Sequence, residues 1–231
     1  MPTKRPLALR LLWVLSLILI LAALAMMWFY APMERTMGVV QKIFYFHVAA
    51  NWLGMLSFAV AAVMAILHLA TRNPRWIHLE VAAVEIGWAF SLIGVISGSI
   101  WARPIWNTWW TADPRLNTVA IMVLLYTAYL VLRQVMEEPE KRDRFSSVYA
   151  IIAFVTVPLA FLSARLYRTI HPTVIGSSSS VASGGFAMAP AMRTTMFFAL
   201  FAFTVLYVTL LWERYRLEVA YQELAKAKSE L

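Results

Sequence analysis

The sequence predicts an all-α membrane protein with six transmembrane helices. Hydrophobic residues make up 61% of the 231 positions and charged residues only 14%, and the mean hydropathy is +0.69. These values are typical of integral membrane proteins. The apolar residues also fall into six runs of about 20 residues or more, the length that an α-helix needs to cross a bilayer. The chain has no cysteine, which excludes disulfides, thiol redox chemistry and cysteine-bound zinc.

The six runs follow one another within a single membrane domain, residues 1–231. The first run comes after three basic residues and ends before Pro32; no small-residue cleavage site follows it, so we expect a membrane helix rather than a cleaved signal peptide. The second ends at the basic 72–75 segment, and a dense charged segment, 137–144, separates the fourth from the fifth. The predicted spans are residues 9–31, 44–70, 78–100, 117–136, 145–166 and 189–212. The tail, residues 213–231, mixes charges at helical spacing and is predicted to be a solvated helix.

The basic residues predict how the spans are oriented. Six spans place both termini on one side, and that side would hold 13 of the 20 lysines and arginines. The positive-inside rule therefore makes both termini of this multi-pass membrane protein cytoplasmic. The 31–43 segment, the segment between spans three and four, and the serine- and glycine-rich segment before span six then face the opposite compartment.

Residues 101–116, with the sequence W-A-R-P-I-W-N-T-W-W-T-A-D-P-R-L, hold four of the chain's ten tryptophans. Two prolines and several polar groups make a regular membrane span unfavourable here, so we predict an aromatic-rich extracytoplasmic loop at the bilayer edge. Two interpretations are open. The loop is either an ordinary interfacial belt, since tryptophans collect at membrane interfaces in any protein, or a platform for a flat ligand.

The predicted topology divides the four histidines into two pairs. His47 and His171 fall on the side of the Trp-rich loop, whereas His68 and His78 fall on the cytoplasmic side beside arginines, where a plain polar role suffices. Two neutral imidazoles can ligate one haem iron from opposite faces. The loop offers flat walls, and arginines could neutralise the haem propionates. The residues in question are Trp106, Trp109 and Trp110 for the walls, and Arg103, Arg115, Arg165 or Arg168 for the charge.

Ordinary interpretations compete with this one. A single histidine at a helix end is more often an interfacial polar residue than a ligand. Glu85 is predicted to lie within the membrane, where an ionisable residue is often functional, but a hydrogen bond between helices would explain it equally well. The four serines 177–180 are expected to form a flexible connection.

The segment G-S-I-W-A-R-P-I-W-N-T-W-W-T-A-D-P-R-L, residues 98–116, resembles the signature of the WWD-domain haem-handling membrane proteins, and most closely the cytochrome c maturation protein C (CcmC, haem exporter protein C) family. The segments K-I-F-Y-F-H-V-A-A-N-W around His47 and L-Y-R-T-I-H-P around His171 resemble that family too, so the resemblance covers nearly the whole chain. The segment departs from the family pattern at three positions. Ala112 stands where the family commonly has a tryptophan, Pro114 where it has an alanine, and Asn107 where it has a glycine. These changes remove one aromatic wall and stiffen the loop.

The resemblance implies a function. Such proteins hold haem b transiently on the outer face of the bacterial inner membrane and present it to the haem chaperone CcmE. ATP-binding cassette subunits and a small membrane subunit of the maturation system complete the set of implied partners. Carried over by position, the axial ligands are His47 and His171. The platform is Trp101, Trp106, Trp109, Trp110 and Asp113.

We therefore expect a protein that binds haem and hands it over, without enzymatic chemistry of its own. Handover requires one axial ligand to leave, and His171, beside the serine- and glycine-rich segment, is the expected one. Three rivals remain open at this point. They are a bis-histidine electron carrier, a small-molecule transporter with polar groups near the midplane, and a structural subunit with a decayed haem pocket.

Overall fold

A computed structural model describes residues 4–172 and 188–229 of the chain. Those residues form seven α-helices, and their regular structure is otherwise limited to short helical turns and one isolated bridge between Glu34 and Gly38. Six helical segments are long and apolar enough to cross a membrane, which confirms the predicted fold class. The helices are α1 (Leu7–Ala25), α2 (Ile43–Thr71), α3 (Pro74–Trp106), α4 (Pro114–Val135), α5 (Pro139–Phe154), α6 (Thr156–Leu166) and α7 (Pro190–Ser229).

The helix α5 and the helix α6 together form one span, Pro139–Leu166. The interruption at Val155 lies three residues before Pro158, which has no N–H group to donate to the carbonyl of Phe154. The last helix, α7, runs without interruption from the sixth span into the charged tail. The bundle therefore has two ends. The proximal end holds the start of α1 and the charged end of α7. There, Arg5 before α1 forms an ion pair of 3.0 Å with Glu213 on α7. The distal end is where α3 is connected to α4.

The first span ends in a π-helical turn, Met26–Tyr30, and a buried lysine secures it to the second. Lys42 is only 5% exposed, and its ammonium group donates to the carbonyls of Met27 (2.7 Å) and Ala31 (2.6 Å). Helix ends leave carbonyl groups without intrahelical partners, and a cation is a favourable donor to them. This contact fixes the distal end of the first span beside the start of α2.

The helices α2 and α3 form the centre of the bundle. A tight turn joins them: Arg72 adopts the left-handed conformation, and the side chain of Asn73 accepts a hydrogen bond from Arg75 N at the start of α3. One apolar cluster packs α2 and α3 against α4, α5 and α6, and it includes the stacked rings of Phe58 and Tyr126, whose centroids are 3.5 Å apart. A second cluster packs the same two helices against α1 and α7. The central pair is therefore the rigid support for residues at the distal end.

Three ionisable residues in the proximal half, Glu80, His68 and Glu85, have partners within the protein. Glu80 is fully buried and accepts hydrogen bonds from the Tyr129 hydroxyl (2.7 Å) and the Ser147 hydroxyl (2.5 Å). His68 Nδ1 lies 2.9 Å from the same serine oxygen. Glu85 on α3 accepts hydrogen bonds from the guanidinium of Arg214 on α7. Its contacts in the structure are thus those of a hydrogen bond between helices, the ordinary interpretation of this residue.

The structure differs from the sequence prediction where α3 ends. The predicted span stopped at residue 100, and residues 101–116 were expected to form a loop. The helix instead continues through Pro104 to Trp106, and α4 begins at Pro114. A proline keeps a helical φ, but it removes its own N–H donor and crowds the carbonyl four residues before it, here that of Ile100, so packing decides whether the helix continues. The non-helical connection is thus only residues 107–113, and Trp101 and Trp106 lie on a rigid helix.

Candidate functional site

His47 lies in the second turn of α2 and faces α3. Its Nδ1 atom is 3.0 Å from the carbonyl oxygen of Gly94 and 3.2 Å from Oγ of Ser97. A carbonyl only accepts, and the Ser97 hydroxyl donates its own hydrogen to the carbonyl of Ile93 at 2.7 Å. The hydrogen-bond network therefore assigns the proton to Nδ1, and Nε2 carries the lone pair. This is the arrangement found in metal-binding histidines, whose second nitrogen donates to a backbone oxygen.

Small residues on α3 make room for this imidazole. A Cβ atom on Gly98 would lie 2.9 Å from Cε1 of His47, and one on Gly94 would lie 2.6 Å from the side chain of Asn51. Asn51 in turn donates to the backbone oxygen of His47 at 2.8 Å. Sequence reasoning did not identify these supporting residues. Their signal was the spacing of Gly94, Ser97 and Gly98 on one helix, which permits close helix packing.

His171 lies in the segment that follows α6 and has the same proton arrangement. Its Nδ1 atom is 3.0 Å from the carbonyl oxygen of Pro172, so the proton is on Nδ1 and the lone pair on Nε2. Burial, together with the neighbouring Arg115 and His47, lowers the pKa of His171 to about 4. The imidazole is therefore neutral at physiological pH, which is the form that binds a metal.

The two imidazole rings lie together at the distal end. Their centroids are 6.4 Å apart and their planes are tilted by 36°. Imidazole–metal bonds are about 2 Å long, so each ring centre lies roughly 3 Å from a metal that it binds, and two rings on one metal have centres about 6 Å apart. Within residues 4–172 and 188–229, no cluster of three or more His, Cys, Asp and Glu side chains is placed to hold a metal ion. Two imidazoles supply two ligands, and a porphyrin supplies four more to an iron atom that it holds.

The four tryptophans divide into two groups. The Trp106 ring meets His171 edge to face, with centroids 6.4 Å apart, and Trp101 packs against Trp106 at 5.2 Å. Both belong to α3; Trp106 contacts His171, and Trp101 contacts Trp106. Trp109 and Trp110 lie in the connection and are 58% and 38% exposed. A turn bonded by the Thr108 hydroxyl to the carbonyl of Trp110 at 2.9 Å shapes their backbone.

The outer arginines differ in how they relate to the pair. Arg115 begins α4, and its guanidinium lies 3.4 Å from the carbonyl oxygen of Phe161; its charge is among the causes of the lowered pKa of His171. Arg103 is bonded to the side chain of Asn107, and Arg165 lies over the Phe161 ring at 5.1 Å. Arg168 lines an open pocket of about 460 Å³ beside Asp113. Arg115 is thus an outer cation whose charge acts on His171.

Asp113 connects the Trp-rich connection with the His171 segment. It is 6% exposed and caps α4 by accepting from Arg115 N at 2.9 Å. Its carboxylate also accepts from the Thr169 hydroxyl at 2.7 and 2.8 Å and from Ile170 N at 2.9 Å. Burial raises the pKa of Asp113, but the hydrogen bonds from Thr169, Ile170 and Arg115 together outweigh it and hold this pKa below its ordinary value.

The other histidines and the serine-rich segment lie elsewhere. His68 and His78 are at the proximal end, on α2 and α3, away from the candidate site. The serines 177–180 and the glycines 184 and 185, which were expected to form a flexible connection, lie outside the described residues.

Comparisons with known proteins show which family this chain resembles. The sequence profile of the family described as "Heme exporter protein C" matches residues 4–230. The chain is 29% identical over 180 residues to the "Heme exporter protein C" of Bradyrhizobium diazoefficiens, covering 78% of this chain and 67% of the relative. It is also 29% identical over 188 residues to the protein of the same name from Escherichia coli K12, with 81% and 74% covered. A putative cytochrome c biosynthesis ccmC-like mitochondrial protein of Marchantia polymorpha is 28% identical over 141 residues, with 61% and 59% covered.

Proposed function

The chain belongs to the heme exporter protein C family, and from that membership we propose that it binds haem at the distal end of its bundle and delivers it to a haem chaperone during c-type cytochrome biogenesis. The distal end is then the extracytoplasmic face of the bacterial inner membrane, with both termini in the cytoplasm. The excess of basic residues on the side of the termini supports this orientation.

The observation that carries the proposal is the pair His47 and His171. The ring centroids are 6.4 Å apart, and both Nδ1 atoms are engaged by backbone carbonyls. With the proton on Nδ1, each Nε2 carries the lone pair; Nε2 of His47 lies 3.5 Å from Nδ2 of Asn51, a long contact that an iron atom would replace. A porphyrin brings the four remaining nitrogen ligands, so two histidines complete a six-coordinate iron.

The surrounding residues suit the rest of a haem molecule. Trp101 and Trp106 supply apolar walls that α3 holds in place. Arg115 supplies a positive charge beside the pair, and Arg168 supplies another at the adjacent pocket. Charge-assisted hydrogen bonds from arginine are the usual partners of carboxylates such as the haem propionates. The exposed faces of Trp109 and Trp110 extend this surface outward, toward an incoming chaperone.

The two ligands are held differently, and this supports handover rather than permanent retention. His47 is part of a long helix and is packed against α3 through Gly94, Ser97 and Gly98. His171 lies beyond the last turn of α6, in a segment without helical structure. We propose that His171 dissociates from the iron first and so opens one face of the haem to the chaperone CcmE, while His47 stays bound on the opposite face. The cassette subunits and small membrane subunit of the maturation system would act on the loaded chaperone.

Transfer itself is the experiment that tests this function. The purified, haem-loaded protein is mixed with haem-free chaperone, and covalently attached haem is measured on the chaperone over time. We expect haem to pass from the wild-type protein, and to pass in much smaller amount from His47→Ala and His171→Ala. The matched control is His78→Ala at the proximal end, which should transfer like wild type. Stable retention of haem by the wild-type protein would instead identify a bis-histidine electron carrier.

A further inference from the structure

We infer that Asp113 is a positioning residue: its carboxylate anchors the segment that carries His171 to the start of α4, and so sets His171 opposite His47. The effect on haem ligation rests on the proposed function, whereas the anchoring of the His171 segment involves only residues of this chain. It gives Asp113 a different task from the tryptophans before it, with which it was grouped as part of a haem platform.

The carboxylate oxygens of Asp113 are already used within the protein. Oδ1 accepts from Arg115 N (2.9 Å) and the Thr169 hydroxyl (2.8 Å), and Oδ2 accepts from the same hydroxyl (2.7 Å) and from Ile170 N (2.9 Å). The residue is 6% exposed, so it offers little surface to a bound ligand. Its effect must therefore pass through the residues that it bonds.

Thr169 relays the anchoring to His171. Its hydroxyl hydrogen is directed to the Asp113 carboxylate, which can only accept. The hydroxyl oxygen is then free to accept from His171 N, which lies 3.0 Å away. One carboxylate thus organises three consecutive residues, and the third of them carries the imidazole.

The segment that carries His171 follows the end of α6 and is no longer stabilised by helical hydrogen bonds. The last helical bond of α6 is from Tyr167 N to the carbonyl of Ser163 at 3.0 Å, and Tyr167 is already extended. Beyond it, the described hydrogen bonds of Ile170 N and His171 N go to Asp113 and Thr169. Hydrogen bonds to a charged acceptor are stronger than neutral ones. The carboxylate is therefore placed to compensate for the missing helix.

The same carboxylate fixes the Trp-rich connection, because capping α4 determines where residues 107–113 end. Asp113 accordingly joins the two parts of the site, the aromatic surface and the outer ligand. Releasing this one anchor would free His171 while leaving His47 in the helix pair. The anchor is thus the point at which ligand release can occur without disturbing the bundle.

The first measurement needs no haem. Hydrogen exchange of the backbone amides in residues 168–171 is compared for the wild-type protein, Asp113→Asn, Thr169→Val and Thr169→Ser. An asparagine offers an NH₂ group where Oδ2 accepts from Ile170 N, so we expect exchange of Ile170 and His171 at least about tenfold faster, which corresponds to roughly 1.4 kcal/mol. Thr169→Val should accelerate exchange at His171, and Thr169→Ser, which keeps the hydroxyl, should resemble wild type. Unchanged exchange in Asp113→Asn and Thr169→Val would overturn the inference.

The second measurement uses bound haem and separates the inference from the proposed function. With Asp113→Asn we expect loss of one axial ligand in the absorption spectrum, and recovery of the six-coordinate spectrum when free imidazole is added. The matched control is Asp143→Asn, whose carboxylate pairs with Arg133 at the proximal end. Faster exchange in Asp113→Asn, in a chain whose wild type binds no histidine-ligated haem, would support the anchor and contradict the function. A six-coordinate spectrum that Asp113→Asn and Thr169→Val leave unchanged would contradict the positioning role.

Discussion

A Cβ atom on Gly98 would lie 2.9 Å from Cε1 of His47. The last three turns of α3 thus leave space for an imidazole that belongs to α2, and Gly94 and Ser97 on the same helix receive its Nδ1 proton. The inner ligand is positioned by the shape of a neighbouring helix, whereas the outer ligand is positioned by hydrogen bonds to Asp113 through Thr169.

Gly98→Ala is expected to weaken haem binding through His47. The added methyl group requires the ring to move, and overpacking of this kind typically costs about 1–3 kcal/mol, or roughly tenfold in affinity. Haem titration of the purified variant checks this. Ile96→Ala, at an exposed position on the same helix, is the control and should bind like wild type; equal binding by both variants would show that the ring has room to spare.

The exposed tryptophans are expected to act in handover rather than in packing. Replacing Trp109 and Trp110 together by alanine should lower the rate of chaperone loading by about threefold or more, since each aromatic contact is worth roughly 0.5–1.5 kcal/mol. The control is Trp28→Ala, an exposed tryptophan on the first span. Equal effects of the two changes on loading would mean that the connection is only an interfacial aromatic belt.

The contribution of Asp113 to stability is expected to disappear in acid. Because its pKa is held below the ordinary value in the folded protein, the carboxylate favours the folded state at any pH above about 3.9, and this contribution is lost as pH falls through the lowered pKa. The difference in thermal stability between wild type and Asp113→Asn should be constant from about pH 7 to about pH 5 and shrink below about pH 4. A difference that stays constant into stronger acid would contradict the charged anchor.

The buried carboxyl of Glu80 is expected to stabilise the bundle without affecting haem. Glu80→Ala leaves the buried Tyr129 hydroxyl without its acceptor, which costs about 1–3 kcal/mol, whereas the Ser147 hydroxyl still has Nδ1 of His68 at 2.9 Å. Glu80→Gln, which keeps an acceptor, should cost less. Thermal unfolding checks the order, with the exposed Glu140→Ala as control. If Glu80→Gln altered the haem spectrum, the proximal hydrogen bonds would affect the distal haem site, which would contradict the expectation that Glu80 acts on stability alone.

Much of this organisation could be predicted from the sequence because membrane helices are long and their charges are asymmetric. Apolar run lengths gave six spans, and the alternation of those spans placed His47 and His171 on the same side. The end of α3 could not be predicted, because Pro104 forbids one hydrogen bond but not the helical backbone, and only packing decides whether the helix continues. The task of Asp113 could not be predicted either, because its partners Thr169 and Ile170 are distant in sequence and meet it only through the fold.

The absorption spectrum of the haem-loaded protein, oxidised and reduced, reports the axial ligands of the iron and should be recorded with His47 and His171 replaced by alanine, singly and together. We expect a six-coordinate, bis-histidine spectrum for the wild-type protein, loss of one axial ligand in each single variant, and little retained haem in the double variant. An unchanged six-coordinate spectrum in the variants would contradict ligation by this pair, since the iron would then be held by other residues.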